Sequence, residues 1–135
     1  MKTFKIGGIH PAENKFSKSN AIEEFPLPKV GTVLLQQNLG APSTPIVQKG
    51  DYVKVGQLIG KAEAVICANV HSPFSGTVKS IEPVVDALGF KKNAVIIEVQ
   101  GDEWDESIDR SPELKEEITL SKKEIIDRIK ECGIV

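Results

Sequence analysis

Cysteine is scarce in this sequence: 135 residues include two, Cys67 and Cys132. They lack the paired spacing of zinc or iron–sulfur ligands, and two thiols are too few for a four-thiolate cluster. Each is expected to serve as a small, half-buried apolar residue, with no disulfide in a reducing compartment. Aromatic residues make up 5% of the chain and the formal net charge is −2. Both argue against nucleic acid as a partner, because base stacking and phosphate neutralisation need the opposite composition. Long apolar runs are missing as well. The longest, such as Ala94 to Ile97, fall far short of the roughly 20 residues that span a bilayer. Met1 to Ile6 lacks the apolar stretch of a signal peptide, which points to the cytoplasm. No serine, histidine and acid arrangement is legible, and the glycines of residues 6–10 (IGGIH) do not have the spacing of a dinucleotide loop.

What is present is an ordinary globular balance, 40% hydrophobic and 27% charged, enough for one domain with a core. Three textures divide it. Residues 1–29 are rich in turn formers, among them Gly7-Gly8-Ile9-His10-Pro11 and Phe25-Pro26-Leu27-Pro28, and are expected to wrap a domain as an arm. Residues 30–101 alternate short apolar runs with glycines at strand-length spacing, the pattern of a small all-β barrel or sandwich. Val53 and Val55 flank Lys54, while Val95, Ile97 and Val99 alternate with Ile96 and Glu98, so each run predicts one inward face. Residues 102–135 begin as an acidic linker. Ser121-Lys122-Lys123-Glu124 is then a capping box that opens a helix with Ile125, Ile126 and Ile129 on one face and Gly133 at its stop. The closing pair Ile134-Val135 is apolar, from which we expect the natural polypeptide to continue.

Two segments carry a mechanical signature. Gly50-Asp51-Tyr52-Val53-Lys54-Val55-Gly56-Gln57 places turns on either side of a very short strand. Ser72-Pro73-Phe74-Ser75-Gly76-Thr77-Val78 supplies a matching turn and strand from the other half. Together they resemble barrel-sandwich hybrid domains, of which lipoyl and biotinyl carriers are familiar members. In those carriers the modified lysine stands eleven positions before the glycine of the Ser-Gly turn, which here is Val65. Lys61 lies four residues too early, about 13 Å along an extended strand. The resemblance therefore implies the carrier architecture without the carrier's covalent arm. Glu63-Ala64 is expected to form the hairpin tip, and Val65 to pack or dock.

A wider set of motifs is more specific: Gly7-Gly8-Ile9-His10-Pro11, Gln37-Asn38-Leu39-Gly40-Ala41-Pro42, Gly50-Asp51, Gly56-Gln57, His71-Ser72-Pro73 and Gly101-Asp102-Glu103-Trp104. On these the chain resembles the N-terminal region of the C subunit of Rnf electron-transport complexes. One departure is Asn38, where that family usually has histidine; asparagine reproduces one hydrogen bond of an imidazole but not its titration. The resemblance implies a protein peripheral to the cytoplasmic face of the membrane. Its complex couples electron transfer between ferredoxin and NAD to ion transport, and its partners are the other Rnf subunits. For the full-length parent it also implies NADH, FMN and 4Fe-4S clusters beyond the terminal helix, whereas no cofactor, metal or catalytic residue is expected in the present segment. The expected role is a structural and docking module. Two alternatives remain open: a lipoyl- or biotinyl-like carrier domain of an acyl or carboxyl transfer enzyme, and the related subunit of a sodium-translocating NADH:quinone reductase, which the Gly-Gly-Ile-His-Pro opening disfavours. His10 and His71 read as turn-closing residues or as ligands, and Trp104 as a lid over one barrel end or as a partner anchor.

Overall fold

The computed structural model describes residues 11–114 and 117–134. Gly7 to His10, with the histidine singled out above, lie outside the described residues. As expected, the described residues are mainly β, with one helix. Seven strands run in chain order: β1 (Val30–Leu34), β2 (Thr44–Pro45), β3 (Tyr52–Val53), β4 (Leu58–Lys61), β5 (Val70–His71), β6 (Ser75–Val85) and β7 (Lys91–Gly101). They form two antiparallel sheets, one ordered β1-β7-β6-β3 and the other β2-β4-β5.

The alternation of apolar residues explains how the sheets face each other. Val33, Leu35, Val53, Val78, Val95 and Ile97 from the first half of the sandwich meet Ile59 and Val70 from the other in one cluster, with Val47 and Ile81 packed at its margin. Strand β7 departs from the expected single inward face, since Ala94, Val95, Ile96 and Ile97 are all buried. It lies between β1 and β6, with both of its edges paired. Three serines are also buried, and each is satisfied. Ser43 Oγ donates to the Ala68 carbonyl, Ser72 Oγ donates to the Phe74 carbonyl at 2.6 Å, and Ser75 Oγ accepts the Glu103 amide at 2.9 Å. This pairing removes the penalty of burying hydroxyl groups.

The last of these bonds anchors a strap. Val55 N–H donates to the Glu103 carbonyl at 2.8 Å, Asp105 N–H donates to the Val55 carbonyl at 2.9 Å, and Val55 and Trp104 form a parallel bridge. Lys54 Nζ lies 2.8 Å from Glu103, which also accepts from the Tyr52 hydroxyl. The hydrogen bond to Glu103 raises the Lys54 pKa, and its reciprocal lowers that of Glu103. The first residues after β7 therefore continue the barrel surface before the chain leaves it.

Helix α1 (Lys122–Glu131) begins with the expected capping box between Ser121 and Glu124. It ends in a Schellman arrangement, with Gly133 N–H bonded to the Lys130 carbonyl and Ile134 N–H to that of Ile129. None of its residues is buried, and Ile126 and Ile129 stand in solvent. The described part of the arm is equally open: Phe16, Ile22 and Phe25 are exposed, and the first backbone bond to the barrel is Val99 N–H to the Lys29 carbonyl. Wrapping by this arm is a proposal for the assembled protein.

The long β6–β7 hairpin closes through a rigid turn. Asp86 Oδ1 accepts the amides of Leu88 and Phe90, both at 2.9 Å, while Oδ2 lies 3.1 Å from Lys92 Nζ. These interactions, the Phe90 amide foremost, hold the Asp86 carboxyl below its ordinary value. Because the folded-state pKa is depressed, this stabilisation is complete above the unfolded value of about 3.9 and is lost as pH falls through the lower folded value. An NMR titration should place the Asp86 midpoint below 3.8, with the Leu88 and Phe90 amide shifts following it. A midpoint above about 4 would contradict the turn's geometry.

Candidate functional site

The most distinctive surface is built where two loops meet at one end of the barrel. The first is the hairpin between β4 and β5, whose bend falls at residues 64–66. The apex is thus later than the expected Glu63-Ala64. Glu63 is held back by accepting the Thr44 hydroxyl at 2.7 Å, and Ala62 N–H is fastened to the Asn69 side chain at 2.9 Å. Val65 stands at the apex and is 94% exposed. It does not pack against the barrel. Lys61 belongs to the end of β4, paired in register with Thr44, and is not part of the bend.

The second loop spans residues 36–41. Its shape is set by its own side chains: Asn38 Oδ1 accepts the Gly40 amide at 2.7 Å, and Gln36 Nε2 donates to the Gly40 carbonyl at 2.6 Å. Gln37 Nε2 donates to the Leu34 carbonyl at 3.0 Å. Asn38 thus closes a local turn. The loop is seated directly on the hairpin, because Ala41 N–H donates to the Ile66 carbonyl at 2.9 Å. Gly40 passes so near that a Cβ built there would lie 2.1 Å from the Ile66 oxygen. Below the seat, buried Cys67 lies 3.6 Å from Ser43 Oγ, and Ser43 ties back to Ala68. The consequence is a braced end carrying Leu39, Val65 and Ile66 outward, the first two almost fully exposed.

Such a surface has no reactive group. It offers apolar side chains on a scaffold whose loops are already ordered, which lowers the entropy lost on association. Sequence reasoning singled out Val65 through the missing lysine. It missed Leu39, whose only signal was an apolar residue in a loop between Asn38 and Gly40.

The remaining candidates lie elsewhere. His71 is half-buried on β5, opposite Leu58, and faces the turn at Gly133. Trp104 is 39% exposed beside Val55, with the Arg110 guanidinium carbon 4.5 Å from its ring centroid, an arrangement that contributes about 0.5–1 kcal/mol at exposed sites. Cys132 is exposed at the helix C-cap, not half-buried as expected. Among the described residues no three histidine, cysteine, aspartate or glutamate side chains converge as metal ligands. With one thiol buried beside Ser43 and the other at the helix end, the residues present do not fit an iron–sulfur cluster. No helix among the described residues is long and apolar enough to cross a membrane.

Comparison with known proteins agrees with this architecture. Residues 2–102 match the family model described as the RnfC barrel sandwich hybrid domain. The whole chain is 42% identical to part of the C subunit of the proton-translocating ferredoxin:NAD(+) oxidoreductase complex of Clostridium ljungdahlii, covering 29% of that protein. It is 36% identical over 95% of its length to the C subunit of the ion-translocating oxidoreductase complex of Haemophilus influenzae, covering 16% of it. Over 73% of its length it is 39% identical to the C subunit of the Na(+)-translocating ferredoxin:NAD(+) oxidoreductase complex of Acetobacterium woodii. The chain therefore spans less than a third of the curated relatives it matches.

Proposed function

Because the chain belongs to the RnfC barrel sandwich hybrid family, we propose that it is the docking module of the C subunit of an Rnf-type complex. In this reading the larger protein works in ion-translocating electron transfer between ferredoxin and NAD, and the present segment seats it against another subunit. The observation that carries the reading is the occupant of the carrier-type hairpin apex. A carrier domain needs an amine there to hold its arm, whereas this chain has Val65, exposed next to Ile66 on the hairpin against which the Leu39 loop is seated. An apolar apex on a braced loop suits a standing contact with a partner. It gives a travelling prosthetic group nothing to attach to.

The test is Val65→Glu in the full-length protein. The change adds a charge at a solvent-facing position, so the barrel's melting temperature should stay within about a degree or two. Recovery of partner subunits in affinity capture should fall at least tenfold, roughly 1.4 kcal/mol of lost association. Unchanged recovery would remove support for docking through this apex. Intact mass after expression with lipoate and biotin ligases addresses the carrier alternative, where an added cofactor mass would overturn the present reading.

We propose further that residues 1–135 bind neither NADH nor flavin, and that those groups belong to regions present in the longer relatives. The support is chemical: no glycine-rich turn in the sequence leads into a helix that would cradle a pyrophosphate. Calorimetry on this chain should show no binding heat with NADH or FMN. Saturable micromolar binding of either would overturn this reading and place a cofactor pocket in the barrel or its N-terminal arm.

A further inference from the structure

The β6–β7 hairpin extends past the strands that flank it. Strand β1 pairs with β7 only as far as Leu34 opposite Ala94, and one further bond, Leu35 N–H to the Asn93 carbonyl, follows. Beyond that, Pro83 opposite Asn93, Val84 opposite Lys92 and Val85 opposite Lys91 continue as a two-stranded ribbon for about 10 Å before the turn. At its end Val85, Leu88 and Phe90 are 64%, 78% and 64% exposed. A flexible tip would let such side chains fold back. Here the Asp86 carboxylate clamps the turn through the Leu88 and Phe90 amides and keeps both side chains outward.

The charges around the tip leave a positive balance. Asp86 is its only carboxylate and is paired with Lys92, leaving Lys91 exposed on the same strand face as Val85. Glu82, the next acidic residue along the ribbon, lies toward its base and on the opposite face from Lys91, as the pleat requires. In a chain of net charge −2, this prong is locally cationic and apolar. Phenylalanine and leucine beside a lysine suit the boundary between acyl chains and anionic headgroups, where the rings and alkyl groups leave water while the ammonium keeps its hydration.

We propose that the β6–β7 tip is a membrane-contacting prong that inserts Leu88 and Phe90 into the interface of an anionic bilayer, with Lys91 facing the headgroups. The tip borders the loop that carries Leu39, since Gln36 to Leu39 line one cavity with Asp86, Ala87 and Leu88. Val65 is not among the residues of that cavity, and the inference goes beyond the docking reading without depending on it. A single prong of this size gives weak, reversible attachment, which orients a protein that other contacts already hold nearby.

Co-sedimentation of the 135-residue chain with sucrose-loaded phosphatidylcholine vesicles containing about 30% phosphatidylglycerol tests it. Bound fraction should rise with lipid into the millimolar range, fall several-fold in about 0.5 M NaCl or with Lys91→Glu, and drop at least tenfold in Leu88→Glu/Phe90→Glu. Phe90→Leu should retain most binding, and circular dichroism should show the variants folded. Val65→Glu should bind vesicles like the parent, which separates this proposal from the docking reading. No binding of the parent to anionic vesicles, or equal binding by Leu88→Glu/Phe90→Glu, would overturn the proposal. So would loss of partner recovery by that double variant when the parent chain ignores vesicles, since the tip would then be a protein contact.

Discussion

Gly76→Ala is expected to destabilise the chain by about 3 kcal/mol or more, at the upper end for one added methyl group. Gly76 lies on β6 between Val53 of β3 and Val99 of β7, at a point where the β6–β7 register shifts. A Cβ built there would lie 2.1 Å from the Glu98 carbonyl oxygen and 3.1 Å from the Gln100 amide nitrogen. Both obstacles are backbone, so no side chain can swing aside. Relief requires parting β6 from β7, the strand pair that carries Val78, Val95 and Ile97 into the core. Urea unfolding should show a large drop in midpoint with an unchanged slope. A loss below about 1 kcal/mol would mean that the bulge yields more readily than a packed sheet should.

Gly40→Ala meets an obstacle just as near, yet its largest effect should be on the docking surface. The added Cβ would lie 2.1 Å from the Ile66 carbonyl oxygen and 2.8 Å from Ile66 Cγ2. Here two surface loops are in conflict, and loops can separate without opening the core. Global stability is expected to fall by about 1–2 kcal/mol. The Ala41 amide, however, should lose its bond to Ile66, and the brace beneath Leu39 and Val65 goes with it. Hydrogen exchange should report this directly as at least tenfold faster exchange at Ala41, while amides of β7 keep most of their protection. Partner recovery should weaken even though Leu39, Val65 and Ile66 are all still present. An Ala41 amide as protected as in the parent would show that the loop does not rest on the hairpin in solution.

These two glycines also mark what the sequence made legible. Gly76 stands inside a recognisable Ser-Gly turn and strand, which reads as β structure and is β structure. The need for close backbone approach to Glu98 was invisible, because it arises from a register shift between strands. Gly40 sits in a motif that identifies the family without explaining the residue. Its reason is a contact with Ile66, far along the chain. The helix cap at Ser121 and its stop at Gly133 were fully legible, being local hydrogen-bond patterns. The lack of cover on Ile126 and Ile129 was not, since periodicity reveals an apolar face but not what meets it. Likewise the acidic stretch after β7 has no strand-like alternation. Its strap depends on Val55, Lys54 and Ser75, distant in sequence. Val65 could be singled out because counting along one hairpin is a local operation. Leu39 and the 36–41 seat could not, because that end of the barrel is assembled by tertiary contact.

Site-specific photocrosslinking in the assembled complex tests the docking role most directly. A benzophenone side chain placed at residue 65 of the full-length protein should give a discrete crosslink to another subunit, as should one at residue 39. One placed at residue 79, exposed on β6 away from the hairpin apex, should give none. The account predicts that residues 39 and 65 crosslink to the same partner. If neither crosslinks to any partner while the complex is intact, the apolar apex is not a docking surface.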